Sequence, residues 1–337
     1  MHDFARASKK RLGFSTSPFT VYRQQQQWRV FGVFFQKILV VLFFLGASLF
    51  LSLGFLSFYF LHTASWRGNT PIGIAILTSD KSQILKDTNI VWIDPSAKEM
   101  SLFSIPGNVS VHTTQSGAYT LTALYGLYAL DHETPDQFLK AFVRNVRIDV
   151  PFLIVREGKK APTVGTLRGF LLSTLFDTNG TYAFPFADRF AVFWYALFGS
   201  ARSVSLPFPQ SVATSDQGLD DINYDKFVEK NFQDTGVKQE GLSVAIVNAS
   251  QQRGLASTMG RLFSVLGLNI LSISDTPNLQ DQGSIVVSSG KLVGSSTVVM
   301  LTRFVGSKVK VAPEIVSEYR SDIVVFLGKT ESAVFTP

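Results

Sequence analysis

The chain has no cysteine, and its 337 residues include only four histidines, His2, His62, His112 and His132. Without cysteine there is no disulfide to close a loop and no thiolate for a structural zinc, so a core must hold any extracytoplasmic domain unaided. The histidines are scattered, which argues against a histidine-built metal centre and a Ser-His-Asp triad. Gly-rich phosphate loops of GxGxxG or GKS/T type are missing as well. Beyond residue 37 the chain also lacks net charge. Seven of its 31 Lys/Arg (Arg6, Lys9, Lys10, Arg11, Arg23, Arg29, Lys37) and one of its 25 Asp/Glu (Asp3) lie in residues 1–37, which leaves 24 of each sign beyond. The formal charge of +6 is therefore that of the N-terminal tail. With no basic surplus in the globular part, a nucleic-acid partner is not expected.

What is abundant is apolar: 46% of the residues are hydrophobic and 30 are Phe. No residue from Ile38 to Trp66 carries a formal charge, and Ile38 to Leu61 is apolar apart from Ser48, Ser52, Ser57 and two glycines. Roughly 20 such residues cross the hydrocarbon core of a bilayer. The run is longer, and begins later, than the apolar stretch of a cleavable signal peptide. It is read as a transmembrane signal anchor over 38–62, with membrane lipid as its partner. The basic flank, 1–37, is expected in the cytoplasm and the C-terminal bulk outside.

Past the anchor the pattern alternates strands and helices. Residues 71–78, 89–94 and 99–105 read as strands, the last two as a hairpin through Pro95–Lys98, and 150–155 as a buried strand. Helices are expected over 119–131 and from Thr134, with Pro135 at the first position. Residues 165–199 read either as two core helices or as a greasy channel for a lipid chain. Residues 211–240 are polar and turn-rich and are expected to be a linker around a short helix. From 241 a second pattern starts: LSVAIVN strand, GLASTMGRLFSVLG helix, LNILSIS strand, SIVVS strand, a helix over 291–305 and DIVVFLG strand, a βαββαβ-like unit. The turn Asn248-Ala249-Ser250 before its first helix either caps that helix or offers backbone N–H groups to an anion.

Two stretches resemble a known family. VAIVNASQQRGLAS, LGLNILSIS and SDIVVFLGK resemble the C-terminal domain that follows the catalytic module in LytR-CpsA-Psr (LCP) proteins, over residues 242–330. DTNIVWIDPSAKEMSLFSIP resembles the hairpin of the LCP catalytic domain, over about 72–156. The resemblance implies an α/β chain: one N-terminal transmembrane helix, an LCP-like α/β sandwich over 70–210 and a small C-terminal domain over 241–330. Members move glycopolymers from a polyprenyl pyrophosphate carrier to peptidoglycan, with aspartates on Mg²⁺ and arginines on the pyrophosphate. Asp80, Lys86 and Asp87 stand near charged family positions, whereas Gly107 and Asn108 stand where the family has Arg and Asp. Arginine supplies a bidentate contact to phosphate that glycine cannot, and a neutral Asn oxygen is a poorer Mg²⁺ ligand than a carboxylate. The stretch LFSIPGNV, on local grounds a Pro-Gly-Asn turn, thus reads as a degenerate site.

Two functions follow. The first is a membrane-anchored, non-catalytic cell-envelope protein that needs no cofactor and binds an envelope partner, a cell-wall glycopolymer or a polyprenyl-linked ligand. The alternative is an active phosphotransferase using Mg²⁺ on Asp80 and Asp87, with Arg144, Arg147, Arg156 or Arg168 as relocated cations. Helix-surface charge is the ordinary role of such arginines.

Overall fold

The apolar run lies inside one 46-residue helix, α1 (Pro18–Thr63), in a computed structural model that describes residues 18–66, 68, 70–79, 85–112, 118–130, 134–158, 160–176, 180–213, 215, 218–305 and 309–331. The chain divides into two units, Met1–Tyr59 and Phe60–Pro337. Within α1 the 24 residues Lys37–Phe60 are long and apolar enough to cross a membrane, by length and composition. At 1.5 Å per residue they reach about 36 Å. The helix starts well before residue 38, so it is longer than the expected span.

The second unit begins with β1 (Ile72–Ser79), β2 (Leu85–Asp94) and β3 (Glu99–Ile105), a short hairpin β4 (Ser110–His112) and β5 (Ala118–Thr120), and helices α2 (Leu121–Leu130) and α3 (Pro135–Val146). Then come β6 (Phe152–Glu157), α4 (Leu167–Ser173), β7 (Gly180–Ala183), α5 (Phe186–Phe198), β8 (Arg202–Leu206) and α6 (Gln210–Ala213). The six-stranded sheet runs β7-β6-β1-β2-β3-β8. Its centre alternates strictly: Ala75, Leu77, Ile90, Trp92, Phe103, Leu153 and Val155 enter one core, while Ile74, Ile76, Val91, Ile93, Leu102 and Ile154 enter the other. A sheet buried on both faces needs helices on both. Leu121, Leu124, Phe138 and Phe142 of α2 and α3 cover the first face. Leu167, Leu171, Val192 and Ala196 of α4 and α5 cover the second. The α3 start is a capping box: Gln137 N–H donates to Thr134 Oγ1 at 3.3 Å, and Thr134 N–H to Gln137 Oε1 at 2.8 Å, which is why Pro135 can open it.

Residues 211–240, expected as a linker, hold α7 (Ile222–Phe232) and α8 (Thr235–Glu240). Tyr224, Val228 and Phe232 are fully buried on α7. Phe232 meets Trp92 at 5.6 Å and Phe103 at 5.3 Å. Period-3.6 spacing of these three residues was hidden among Asp, Asn, Lys and Glu, which simply occupy the other face. The segment is a packed helical element, and one core continues through it into the C-terminal region.

That region holds β9 (Ser243–Asn248), α9 (Leu255–Val265), β10 (Asn269–Asp275), β11 (Ser284–Val287), α10 (Ser296–Val305), β12 (Val309–Val311), α11 (Pro313–Glu318) and β13 (Ile323–Leu327), in a sheet ordered β10-β9-β13-β11-β12. The helix expected over 291–305 is split: Gly290–Gly294 is a 3₁₀ turn, and α10 starts at Ser296. The Glu240 carboxylate explains the break, since it accepts from Ser296 N–H at 2.6 Å, Thr297 N–H at 2.9 Å and Thr297 Oγ1 at 2.7 Å. Short strands β8 and β12 lie on sheet edges and carry too few residues for an alternation signal.

Candidate functional site

The Pro106–Asn108 segment is a turn closed by Val109 N–H on Pro106 C=O at 3.2 Å. Gly107 is not in the left-handed region, so backbone freedom does not explain it. A Cβ on Gly107 would run into Thr122 Cγ2 of α2, and Thr122 N–H donates to Gly107 C=O at 3.0 Å. The glycine is there because α2 docks onto the turn. Asn108 is exposed. Asp87 lies opposite Thr78 in the β1–β2 pairing, is exposed, and accepts from Thr78 Oγ1 at 3.1 Å. Asp80 and the Lys86 side chain lie outside the described residues, although the Lys86 backbone belongs to β2. Among the described residues no three His, Asp or Glu side chains come together as a metal site.

Three arginines line a cavity of about 320 Å³: Arg144 and Arg147 from α3 and Arg261 from α9, with Ser110 and Leu219 beside them. Arg147 caps α3 in left-handed backbone, φ 52°. Its buried guanidinium pairs with Asp225 at 2.6 Å, donates to Leu219 C=O and lies 5.5 Å over the Tyr224 ring. Arg261 reaches the other Asp225 oxygen at 2.7 Å. Asp225 thus ties α3, α7 and α9 together. Burial, only partly offset by Arg147, pushes the Tyr224 hydroxyl far above the usual phenol range, and that hydroxyl donates to Val146 C=O at 2.9 Å. Arg168 does not join this cluster. It is exposed and donates to Gly199 C=O at the end of α5. Arg156 stacks 5.0 Å over Phe170.

A cavity of about 860 Å³ opens between α3, the start of α5 and α10. Leu139, Val143, Phe152, Phe184, Phe186 and Phe304 give it apolar walls, and Lys140, Arg189, Arg303 and Asp149 its charge. Arg303 Nη1 holds Asp149 at 2.6 Å. Nearby, Asp234 caps α8, accepting from Gly236 N–H at 2.7 Å; burial raises its carboxyl above the ordinary value, against those backbone donors, and Asp149 adds to the rise. The channel alternative for residues 165–199 reaches one wall of this cavity, at Phe184, Phe186 and Arg189; the far wall, α10, lies some 150 residues after α3 and gave no local signal.

The Asn248–Ser250 turn spends its donors internally. Ala249 N–H goes to Leu327 C=O at 2.8 Å and Ser250 N–H to Asn248 Oδ1 at 3.2 Å. Asn248 Nδ2 donates to Gln252 C=O and Asp275 Oδ1, both at 2.9 Å. The anion alternative has no free N–H there, and α9 starts only at Leu255 behind Gly254.

No curated protein matches the chain. Among solved structures, likenesses are found to TagT bound to LIIa-WTA (11% identity, 41% of this chain and 79% of that one, TM-score 0.33) and to TagV of B. subtilis (12%, 42% and 86%, 0.30). A third is the LytR-CPS2A-psr family protein YwtF (TagT) with bound octaprenyl pyrophosphate lipid (8%, 64% and 80%, 0.23). None is close enough to fix the chemistry of this chain. One family model, LytR cell envelope-related transcriptional attenuator, matches residues 241–330, the stretch that folds as the five-stranded region. Residues 241–330 are therefore a LytR C-terminal domain.

Proposed function

We propose that the chain is a single-pass, membrane-anchored protein of the cell envelope, of LytR-CpsA-Psr type, whose second unit lies outside the membrane and binds a polyprenyl-linked anion without turning it over. The LytR C-terminal domain at 241–330 and the apolar helix support the envelope setting. The observation that carries the binding role is the cavity between α3, α5 and α10. Its volume of about 860 Å³ falls in the usual range for ligand sites, roughly 300–1,000 Å³. Its walls suit an acyl or prenyl chain, and three cations against one carboxylate suit a phosphate head. The non-catalytic part of the proposal rests on the 106–108 turn, which offers no cation to charge developing on a transferred phosphoryl group. Of the four arginines that could have replaced it, Arg147 is held by Asp225 and Leu219 C=O, Arg168 by Gly199 C=O, Arg156 lies over the Phe170 ring, and Arg144 lines the cavity beside Arg147.

Calorimetric titration of the full chain in nanodiscs with a polyprenyl pyrophosphate analogue tests this reading. A charge-assisted contact contributes about 1.5–3 kcal/mol, so Lys140→Ala and Arg189→Ala should each weaken binding by about tenfold to a hundredfold. Unchanged affinity in both variants would contradict the placement of the ligand.

A further inference from the structure

The aromatic stretch at 165–199 is half core and half surface. Ala191, Val192 and Ala196 of α5 are buried against the sheet, while Phe186, Trp194, Leu197 and Phe198 are exposed, Phe198 at 65%. With Phe190, these positions recur at 186, 190, 194, 197 and 198, one face of a 3.6-residue helix. The rings form a ladder: Phe190–Trp194 at 6.1 Å and Trp194–Phe198 at 4.5 Å, with Phe176, 74% exposed, reaching Phe193 at 5.9 Å. No acidic residue faces outward on α5, since Asp188 is buried.

The ladder begins at the last residue of the membrane-length run. Phe60 lies 5.0 Å from Phe186 and 5.4 Å from Phe190. Polar contacts fix the same junction: Ser65 Oγ and Trp66 N–H donate to Asp188 Oδ1 at 2.9 and 2.8 Å, and the buried Trp66 ring meets Tyr195 at 5.7 Å. α5 has 13 residues, so its whole length extends about 20 Å at 1.5 Å per residue. A surface this apolar, locked to the residue where the chain leaves the hydrocarbon, stays within reach of the headgroup layer. Aromatic rings are favoured in that layer. Arg189, 5.5 Å over the Phe186 ring, and Arg168, on the Gly199 carbonyl, place a cation at each end of the stripe, as suits an anionic lipid surface.

We propose that the exposed face of α5 docks on the surface of the bilayer that α1 enters, as a second, interfacial membrane contact that fixes the second unit against the lipid. It rests on the reading of α1 as a membrane span.

The absence of cysteine makes single-site labelling direct. Nitroxide-labelled Phe198→Cys, Trp194→Cys, Leu49→Cys and Lys310→Cys variants of the full chain, in phosphatidylcholine/phosphatidylglycerol vesicles, are read by oxygen-to-nickel accessibility. Labels at 194 and 198 are expected about 5–10 Å inside the headgroup boundary, the label at 49 in the hydrocarbon and the label at 310 in water. A hydrocarbon signal at 49 with aqueous signals at both 194 and 198 would overturn the docking face while the anchor stood. An aqueous signal at 49 would overturn the anchor, and the docking face with it.

Discussion

The two sheets of the second unit use their polar residues differently. In the five-stranded region several of them hold backbone: Asn248 and Ser250 close the loop before α9, Asp322 accepts from Ser243 N–H at 2.9 Å, and Glu240, reaching over from α8, caps α10, while Arg261 and Arg303 pair outward with Asp225 and Asp149. In the six-stranded region the buried cation Arg147 reaches across to another element, and the turn that resembles a charged site, Pro106–Asn108, has no charge. A pattern that satisfies buried backbone groups is bound to the fold, because each lost partner leaves a donor unsatisfied at about 1–3 kcal/mol. A pattern that serves chemistry can lose its charges while the sheet stands, which is why function has to be argued from the site.

The two regions meet at a buried ion pair. Asp225 and Arg147 are nearly buried, their side chains 13% and 8% exposed, and removing one partner of such a pair costs about 3–5 kcal/mol. Asp225→Ala is expected to lose that much in urea unfolding of the detergent-solubilised chain, and to do so in one transition, because the core is continuous through α7. Two separated transitions would break the picture of a shared core. Arg261→Ala, whose side chain is 42% exposed, is expected to lose about 1 kcal/mol or less.

Next in size is the turn. Gly107→Arg with Asn108→Asp should destabilise by about 1–3 kcal/mol through overpacking against Thr122. Adding Thr122→Ala should recover most of it, because the Thr122 Cβ itself is 3.6 Å from the new Cβ, an ordinary contact. That triple variant should gain Mg²⁺-dependent affinity for a polyprenyl pyrophosphate analogue of about tenfold to a hundredfold by calorimetry. No gain would mean that the turn is not the place where charge is missing.

The smallest effect concerns Asp234. Its carboxyl is raised by burial, so the charged form is less favourable folded than unfolded. The stability it contributes is full below the unfolded value of about 3.9 and falls as pH rises through the folded one. Asp234→Asn keeps an oxygen for Gly236 N–H and should flatten that fall, above the ordinary carboxyl value, in thermal melts. Identical pH profiles would contradict the assignment.

Much of the fold was legible in the sequence, for reasons the residues make plain. Short apolar runs bounded by turn residues marked β1 to β3 and β6, Thr134-Pro135 marked the α3 start, and Gly267, at φ 102°, marked the end of α9. What was not legible depended on distant partners. The α7 stripe was masked by its charged outer face, the break before Ser296 needed Glu240 from 56 residues earlier, and Gly107 was explained by Thr122 and not by its own backbone. The candidate site was the least legible. Arg144 and Arg147 do line one cavity, but with Arg261, which local pattern could not bring to them, while Arg168, on α4, turns to the Gly199 carbonyl at the end of α5.

The most direct measurement is release of pyrophosphate-linked sugar from a polyprenyl carrier by the full chain in nanodiscs, with and without Mg²⁺, beside a binding titration of the same carrier. Binding is expected to be indifferent to Mg²⁺, with no release. Tight Mg²⁺-dependent binding with release would contradict it and make the protein an active phosphotransferase.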